Sequence, residues 1–213
     1  MTPEKMSDAT EALCRKAPVI PVLIVEKASD AKPLAEALIA GGLPCLEVTL
    51  RTEAALEVIA EMAQVAGGHV GAGTLLTPQD VENAKKSGAT FGVSPGATDR
   101  ILDAAEANDL PLLPGAATAT EAMQLLEKGY RIQKFFPAEA NGGAPALKAL
   151  ASPLPQISFC PTGGVSLANA PDYLGLSNTL CVGGSWVAPT KAFEAKDWKT
   201  IENLAREAVT RLS

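Results

Sequence analysis

Eight short apolar runs, each followed by a stretch of helical periodicity, constrain this chain more than any other feature. The runs are Pro18–Val25, Cys45–Leu50, His69–Leu76, Thr90–Gly96, Pro111–Ala117, Arg131–Ala138, Gln156–Gly164 and Asn178–Ser185. Several are unbroken β-branched or apolar sequences, the pattern of parallel strands covered on both faces. Over 213 residues, eight units take about 27 residues each, room for one strand and one crossover helix. The alternation predicts an all-parallel α/β fold. Eight units predict a closed (β/α)8 TIM barrel, with the segment before Pro18 forming an extra N-terminal helix over its bottom. An open doubly wound sheet is the rival. However, Val25-Glu26-Lys27-Ala28-Ser29 stands where a dinucleotide-binding sheet carries GxGxxG,. No linker or shift of composition divides residues 1–213, which read as one domain,.

Local signals support the helices. Glu53–Gln64 carries Leu56, Ile59, Ala60 and Ala63 as an apolar stripe,. Thr77-Pro78 reads as an N-cap with proline in the first turn. Thr118 and Glu121 have capping-box spacing, and Gly129 closes their helix. Lys191–Leu212, with Ile201, Leu204, Ala205 and Val209 helically spaced, closes the helical layer,.

Composition removes several function classes. The net charge is −6, a poor match for a nucleic-acid groove or an anionic membrane surface. No apolar run is long enough to span a bilayer. The acidic start, Met1–Lys16, lacks a signal-peptide core,. Cys14, Cys45, Cys160 and Cys181 are 31, 115 and 21 residues apart, which matches no zinc or redox spacing and suggests reduced, cytoplasmic thiols. His69 is the one histidine. Polyhistidine zinc sites are excluded, and nucleophile and base must come chiefly from Lys, Glu, Asp, Tyr or Cys. His69 itself starts the third run, the end of a barrel associated with stability.

Two runs carry polar groups where only apolar ones are expected. In Arg131-Ile132-Gln133-Lys134-Phe135-Phe136-Pro137, Lys134 shares a strand face with Ile132 and Phe136,. A lysine in a poorly solvated site can lose its proton and attack a carbonyl. At an ordinary lysine pKa less than ~0.1% is neutral at pH 7, so such a site matters for rate. The other reading is an edge-facing or ion-paired structural lysine. In the second run, Glu47, Thr49 and Arg51 share one face, opposite Leu46, Val48 and Leu50,. Glu47 suits general acid–base work, and Arg51 suits a bidentate grip on a carboxylate. A Glu47–Arg51 structural pair is the alternative, although four strand residues separate them by about 13 Å.

Gly-rich turns follow the last two runs: Thr162-Gly163-Gly164-Val165-Ser166 and Val182-Gly183-Gly184-Ser185-Trp186. Glycines let backbone N–H groups converge on an anion, and these two turns are the usual phosphate position of a barrel. Gly71-Ala72-Gly73-Thr74 offers a hydroxyl at a third strand end. Asn141-Gly142-Gly143 reads as a flexible loop over the site, with Glu139 before it. Pro95, Phe136 and Trp186 are candidate pocket walls, and core packing is their alternative. The cysteines read as small core hydrophobes.

Taken in order, Leu46–Thr52, Gly71–Thr74, Lys134–Glu139, Cys160–Gly164 and Gly183–Trp186 resemble the bacterial 2-keto-3-deoxy-6-phosphogluconate (KDPG) aldolases, class I aldolases of the Entner–Doudoroff route. The resemblance runs from about Pro18 to the last helix. It implies a Schiff-base lyase yielding pyruvate and D-glyceraldehyde 3-phosphate. Lys134 would be the nucleophile and Glu47 the proton shuttle. Arg51 and Thr74 would hold the pyruvate carboxylate, and Thr162 would influence the C4 isomer accepted. Gly163, Gly164, Gly184 and Ser185 would bind phosphate. It further implies a homotrimer with no metal or cofactor, often active on 4-hydroxy-2-oxoglutarate (KHG) as well. One departure is Pro114-Gly115-Ala116-Ala117-Thr118, where the family carries a more polar Pro-Gly-x-Ser-Thr. The alternatives are a relative preferring the galactonate epimer, a phosphate-binding isomerase or epimerase, and a non-catalytic sugar-phosphate binder.

Overall fold

The structure, a computed structural model, describes residues 1–213. Its strands are β1 (Val19–Leu23), β2 (Cys45–Thr49), β3 (His69–Gly73), β4 (Phe91–Val93), β5 (Leu112–Leu113), β6 (Gly115–Ala116), β7 (Ile132–Phe135), β8 (Ser158–Pro161) and β9 (Val182–Gly184). Every predicted run contains a strand, trimmed at its ends, and all pairings between these strands are parallel.

The closed eight-stranded TIM barrel expected from the repeat is not what forms. A curled six-stranded sheet, β5-β4-β3-β2-β1-β9, stands beside a separate three-stranded sheet, β6-β7-β8. The physical reason at one seam is Pro114, which has no N–H to donate and splits the fifth run in two. Leu113 on one side accepts from Ser94 N, whereas the Pro114 carbonyl accepts from Lys134 N at 2.8 Å. At the other seam Asn178–Cys181 forms no strand, and β8 reaches its neighbour only through the isolated bridges Phe159–Thr179 and Thr162–Gly183.

The helices are α1 (Pro3–Cys14), α2 (Ala31–Ala40), α3 (Ala55–Met62), α4 (Pro78–Lys86), α5 (Asp99–Ala107), α6 (Ala119–Glu127), α7 (Gly143–Ala151), α8 (Ala170–Leu174), α9 (Thr190–Glu194) and α10 (Trp198–Leu212). Both N-terminal signals are capping boxes: Thr77 with Asp80, and Thr118 with Glu121,. In α3 the buried stripe is Ala55, Val58, Ile59 and Met62 rather than the expected one. Only Ile59 is shared, because the sheet meets the helix one residue away from the face that Leu56 marks. The last helical stretch breaks at Lys196, whose φ is 53°. The extra N-terminal helix is present. Ser7 on α1 donates to the Gly129 carbonyl at 3.0 Å and accepts from Arg131 N at 3.1 Å, which ties it to the start of β7.

Two cores result. The larger lies between strands and helices and includes Leu46, Val48 and Phe135. The smaller lies on the sheets' inner side: Cys14, Ile20, Cys45, Phe91, Val93, Leu113, Ile132, Cys160 and Cys181. Cys45 precedes Glu47 by two residues, as Ile132 precedes Lys134 and Cys160 precedes Thr162. Successive same-face residues on a strand rise about 6.6 Å. The apolar plug therefore fills the layer beneath a polar one at the C-terminal strand ends, where ligands bind in parallel α/β sheets.

Candidate active site

Lys134 and Glu47 meet on that inner face. Lys134 is 5% exposed and Glu47 3%. The Lys134 Nζ donates to Glu47 Oε1 at 3.2 Å and stands 5.2 Å from the centre of the Phe136 ring. They come from β7 and β2, strands of different sheets. Neither carries any other ion pair, so each is the other's charged partner, directly above the apolar plug. Lys134 lines a cavity of about 980 Å³ together with Arg51, Phe136, Thr162 and Trp186, and Glu47 reaches it through the Lys134 amine rather than lining it.

Glycine makes the space for this pair. A Cβ built on Gly73 would lie 2.3 Å from Glu47 Oε1, and one on Gly183 would lie 2.2 Å from Thr162 Oγ1. Such contacts are impossible without displacing the polar side chains. Sequence reasoning missed both roles. Gly71 and Gly73 at alternate residues of β3 are the available signal, but glycine near a strand end has too many other uses for it to be decisive,.

The other candidates gather around the mouth. Arg51, just past β2 and exposed, donates from Nε to Thr74 Oγ1 at 3.3 Å. Thr74 holds a left-handed φ of 62°, a conformation that costs a β-branched residue energy and turns its hydroxyl to Arg51. The expected alternative, a Glu47–Arg51 ion pair, does not form. Thr162 is buried and bridges to Gly183. Gly163 and Gly164 follow at φ 101° and 80°, which only glycine adopts freely. Ser185 is exposed on the cavity wall, and the Trp186 ring lies against Gly184. Phe136 is among the residues that line the cavity. Pro95 is not: its carbonyl packs against Gly115 instead. Across the mouth, Lys196 pairs with the buried Asp30 at 2.9 Å, a contact 166 residues apart with no sequence signal.

His69 is away from this rim, at the first residue of β3, and burial lowers its pKa. The four cysteines are free and buried, and burial pushes the Cys45 thiol up to about 11. No group of three or more His, Cys, Asp or Glu side chains is arranged to hold a metal ion, and no helix is long and apolar enough to cross a membrane. The arrangement presents a sequestered amine to a carbonyl, a carboxylate to move protons beside it, and glycine turns for an anion further out.

Comparison with known proteins agrees with this chemistry. The family described as "Aldolase: KDPG and KHG aldolase" matches residues 10–204. The KHG/KDPG aldolase of Escherichia coli (strain K12) is 50% identical over 202 residues, 94% of this chain and 95% of the relative. The KDPG aldolase of Zymomonas mobilis ZM4, solved with 3-phosphoglycerate, superposes with a TM-score of 0.91 at 49% identity, covering 95% of this chain and 96% of the other. The KDPG aldolase of Legionella pneumophila, solved with pyruvate captured as a covalent carbinolamine, gives a TM-score of 0.91 at 43% identity, covering 93% and 97%.

Proposed function

The chain belongs to the KDPG and KHG aldolase family, and from that premise we propose that Lys134 and Glu47 carry out its Schiff-base chemistry. The reaction is cleavage of KDPG to pyruvate and D-glyceraldehyde 3-phosphate. The observation that carries the assignment is the 3.2 Å contact between the Lys134 amine and the Glu47 carboxylate in a buried layer.

Glu47 takes the proton that leaves Lys134 Nζ. The amine lone pair then adds to the C2 ketone to give a carbinolamine, the kind of adduct that the Legionella relative holds with pyruvate. A proton returned to the carbinolamine oxygen lets water leave and forms the iminium. Glu47 next accepts the C4 hydroxyl proton. The electrons of that O–H bond become the second bond of the aldehyde carbonyl, and the C3–C4 electrons move into the iminium as an enamine. Glyceraldehyde 3-phosphate departs, C3 is reprotonated, and water hydrolyses the iminium to pyruvate and free Lys134. Acid–base assistance of this kind contributes roughly 10²–10⁴-fold. The iminium supplies the electron sink without which C3–C4 cleavage has nowhere to place its charge.

Arg51 and Thr74 hold the C1 carboxylate. Thr162 faces C4 and biases the gluconate over the galactonate epimer. Gly163, Gly164, Gly184 and Ser185 bind the 6-phosphate, whose binding energy aligns the reacting carbons. KHG, cleaved to pyruvate and glyoxylate, uses the same pair without the phosphate contacts. Residues 1–213 act as one catalytic domain, as a cytoplasmic homotrimer on the Entner–Doudoroff route. The exposed Ile24, Leu76 and Met123 are apolar surface that self-association can cover,.

Steady-state cleavage of KDPG, read as pyruvate released, tests the function. The expected result is turnover with a far higher kcat/KM than for KHG. Conversion of a sugar phosphate without pyruvate would favour the isomerase, and binding without turnover would favour the sugar-phosphate binder.

A further inference from the structure

The function described above leaves Glu139 and Tyr173 unused. We propose that Tyr173 is a specificity-determining positioning residue: its phenol holds the Glu139 carboxylate off the Gly163–Gly164 loop, so that the loop can accept a phosphate dianion. This rests on the assignment of that loop to phosphate.

The geometry is specific. The loop after β7 runs beside the loop after β8. Ala138 N donates to the Thr162 carbonyl at 2.8 Å, and Glu139 N to the Gly163 carbonyl at 3.0 Å. A Cβ built on Gly164 would lie 2.6 Å from Glu139 Cγ. A carboxylate-bearing side chain thus rests directly on the proposed anion loop. Left free there, a negative charge repels an incoming phosphate. Tyr173, on α8 and 1% exposed, donates its phenol O–H to Glu139 Oε1. Burial, and then the Glu139 hydrogen bond, push the Tyr173 phenol well above its ordinary pKa, so it stays a donor through the neutral range. The same Oε1 would be 3.3 Å from a Cβ built on Gly143. That places the charge at the N-terminus of α7, where the helix dipole favours it. Glu139 stands 34 residues from Tyr173 in sequence, and nothing in the reaction itself needs either residue.

The test measures kcat and KM of the full chain with KDPG and with KHG. Tyr173→Phe is expected to raise KM for KDPG about five- to tenfold, the scale of one partly screened like charge. It should leave kcat, and both constants for KHG, unchanged. Glu139→Asp keeps the charge on an exposed residue but is too short to reach the phenol, so it should reproduce the effect even if Tyr173→Phe folds poorly. Glu139→Gln removes the charge and should keep the parent KM. The double variant Tyr173→Phe/Glu139→Gln should restore it. Equal losses on both substrates, or a KM that stays high in the double variant, would show a merely structural contact and overturn the proposal. Ser185→Ala separates the premise. If it leaves KM for KDPG unchanged, the phosphate assignment fails and the proposal falls with it. If it raises that KM and Tyr173→Phe does not, the clamp alone fails.

Discussion

Gly73 stands so close to Glu47 that a single added Cβ would sit 2.3 Å from the carboxylate oxygen that accepts a hydrogen bond from Lys134 Nζ. The backbone of β3 thereby makes room for the proposed acid–base group without contributing a side chain. Gly73 has no positive φ, so alanine fits the backbone, and the three atoms nearest its Cβ all belong to Glu47. Gly73→Ala is expected to lower kcat by roughly 10²-fold or more, approaching the loss from Glu47→Gln, because both remove a placed acid–base group. Circular dichroism with a parent-like spectrum would show that the fold survives, with a thermal transition lowered by the displaced pair.

The Lys134–Glu47 pair also makes a prediction for stability. Removing one member of a buried pair leaves an uncompensated charge, which costs about 3–5 kcal/mol. Lys134→Met is expected to fall in this range by urea unfolding at neutral pH. Lys134→Met combined with Glu47→Gln should recover most of the loss. Additive losses in the double variant would mean the two residues do not interact.

Thr162 depends on Gly183 as Glu47 depends on Gly73. A Cβ on Gly183 would lie 2.2 Å from Thr162 Oγ1, so Gly183→Ala pushes the hydroxyl from its place. The expected outcome is a reduced preference for KDPG over its galactonate epimer, by about tenfold, one hydrogen bond's worth of discrimination. Competition between the two epimers measures it.

Away from the site, Glu121 accepts from Ala117 N at 2.8 Å and Thr118 N at 2.9 Å. The Ala117 N–H, foremost, holds its carboxyl below the ordinary value of 4.5, against a smaller opposing effect of burial. The folded state thus binds this proton less readily than the unfolded state. Its stabilisation is fully present above the ordinary carboxylate pKa and is lost as pH falls through the lower folded value. Glu121→Gln should cost about 0.5–1 kcal/mol near neutrality, typical of a capping contact. The gap to the parent should close in acid, as thermal melts across a pH series would show.

Much of this was legible in the sequence, for identifiable reasons. Lys134 was visible because a period of two places it with Ile132 on an inward face, and a lone amine in an apolar run has few structural uses. Thr77 and Thr118 were visible because capping depends only on local spacing. The closed barrel was not a sound expectation. Counting runs does not reveal that Pro114 interrupts the fifth strand's ladder or that Asn178–Cys181 stays outside any strand. The register of α3 depended on tertiary packing that overrides a stripe of similar apolar residues. The roles of Gly73 and Gly183 were not decidable because they lie in what a missing side chain permits another strand to do. Tyr173 and Glu139 likewise meet only in three dimensions.

The most direct test of the central claim is borohydride reduction in the presence of pyruvate, followed by peptide mass mapping. One stable reduced pyruvyl adduct is expected, on Lys134, and none in Lys134→Ala. An adduct on any other lysine, or full KDPG turnover by Lys134→Ala, would contradict it.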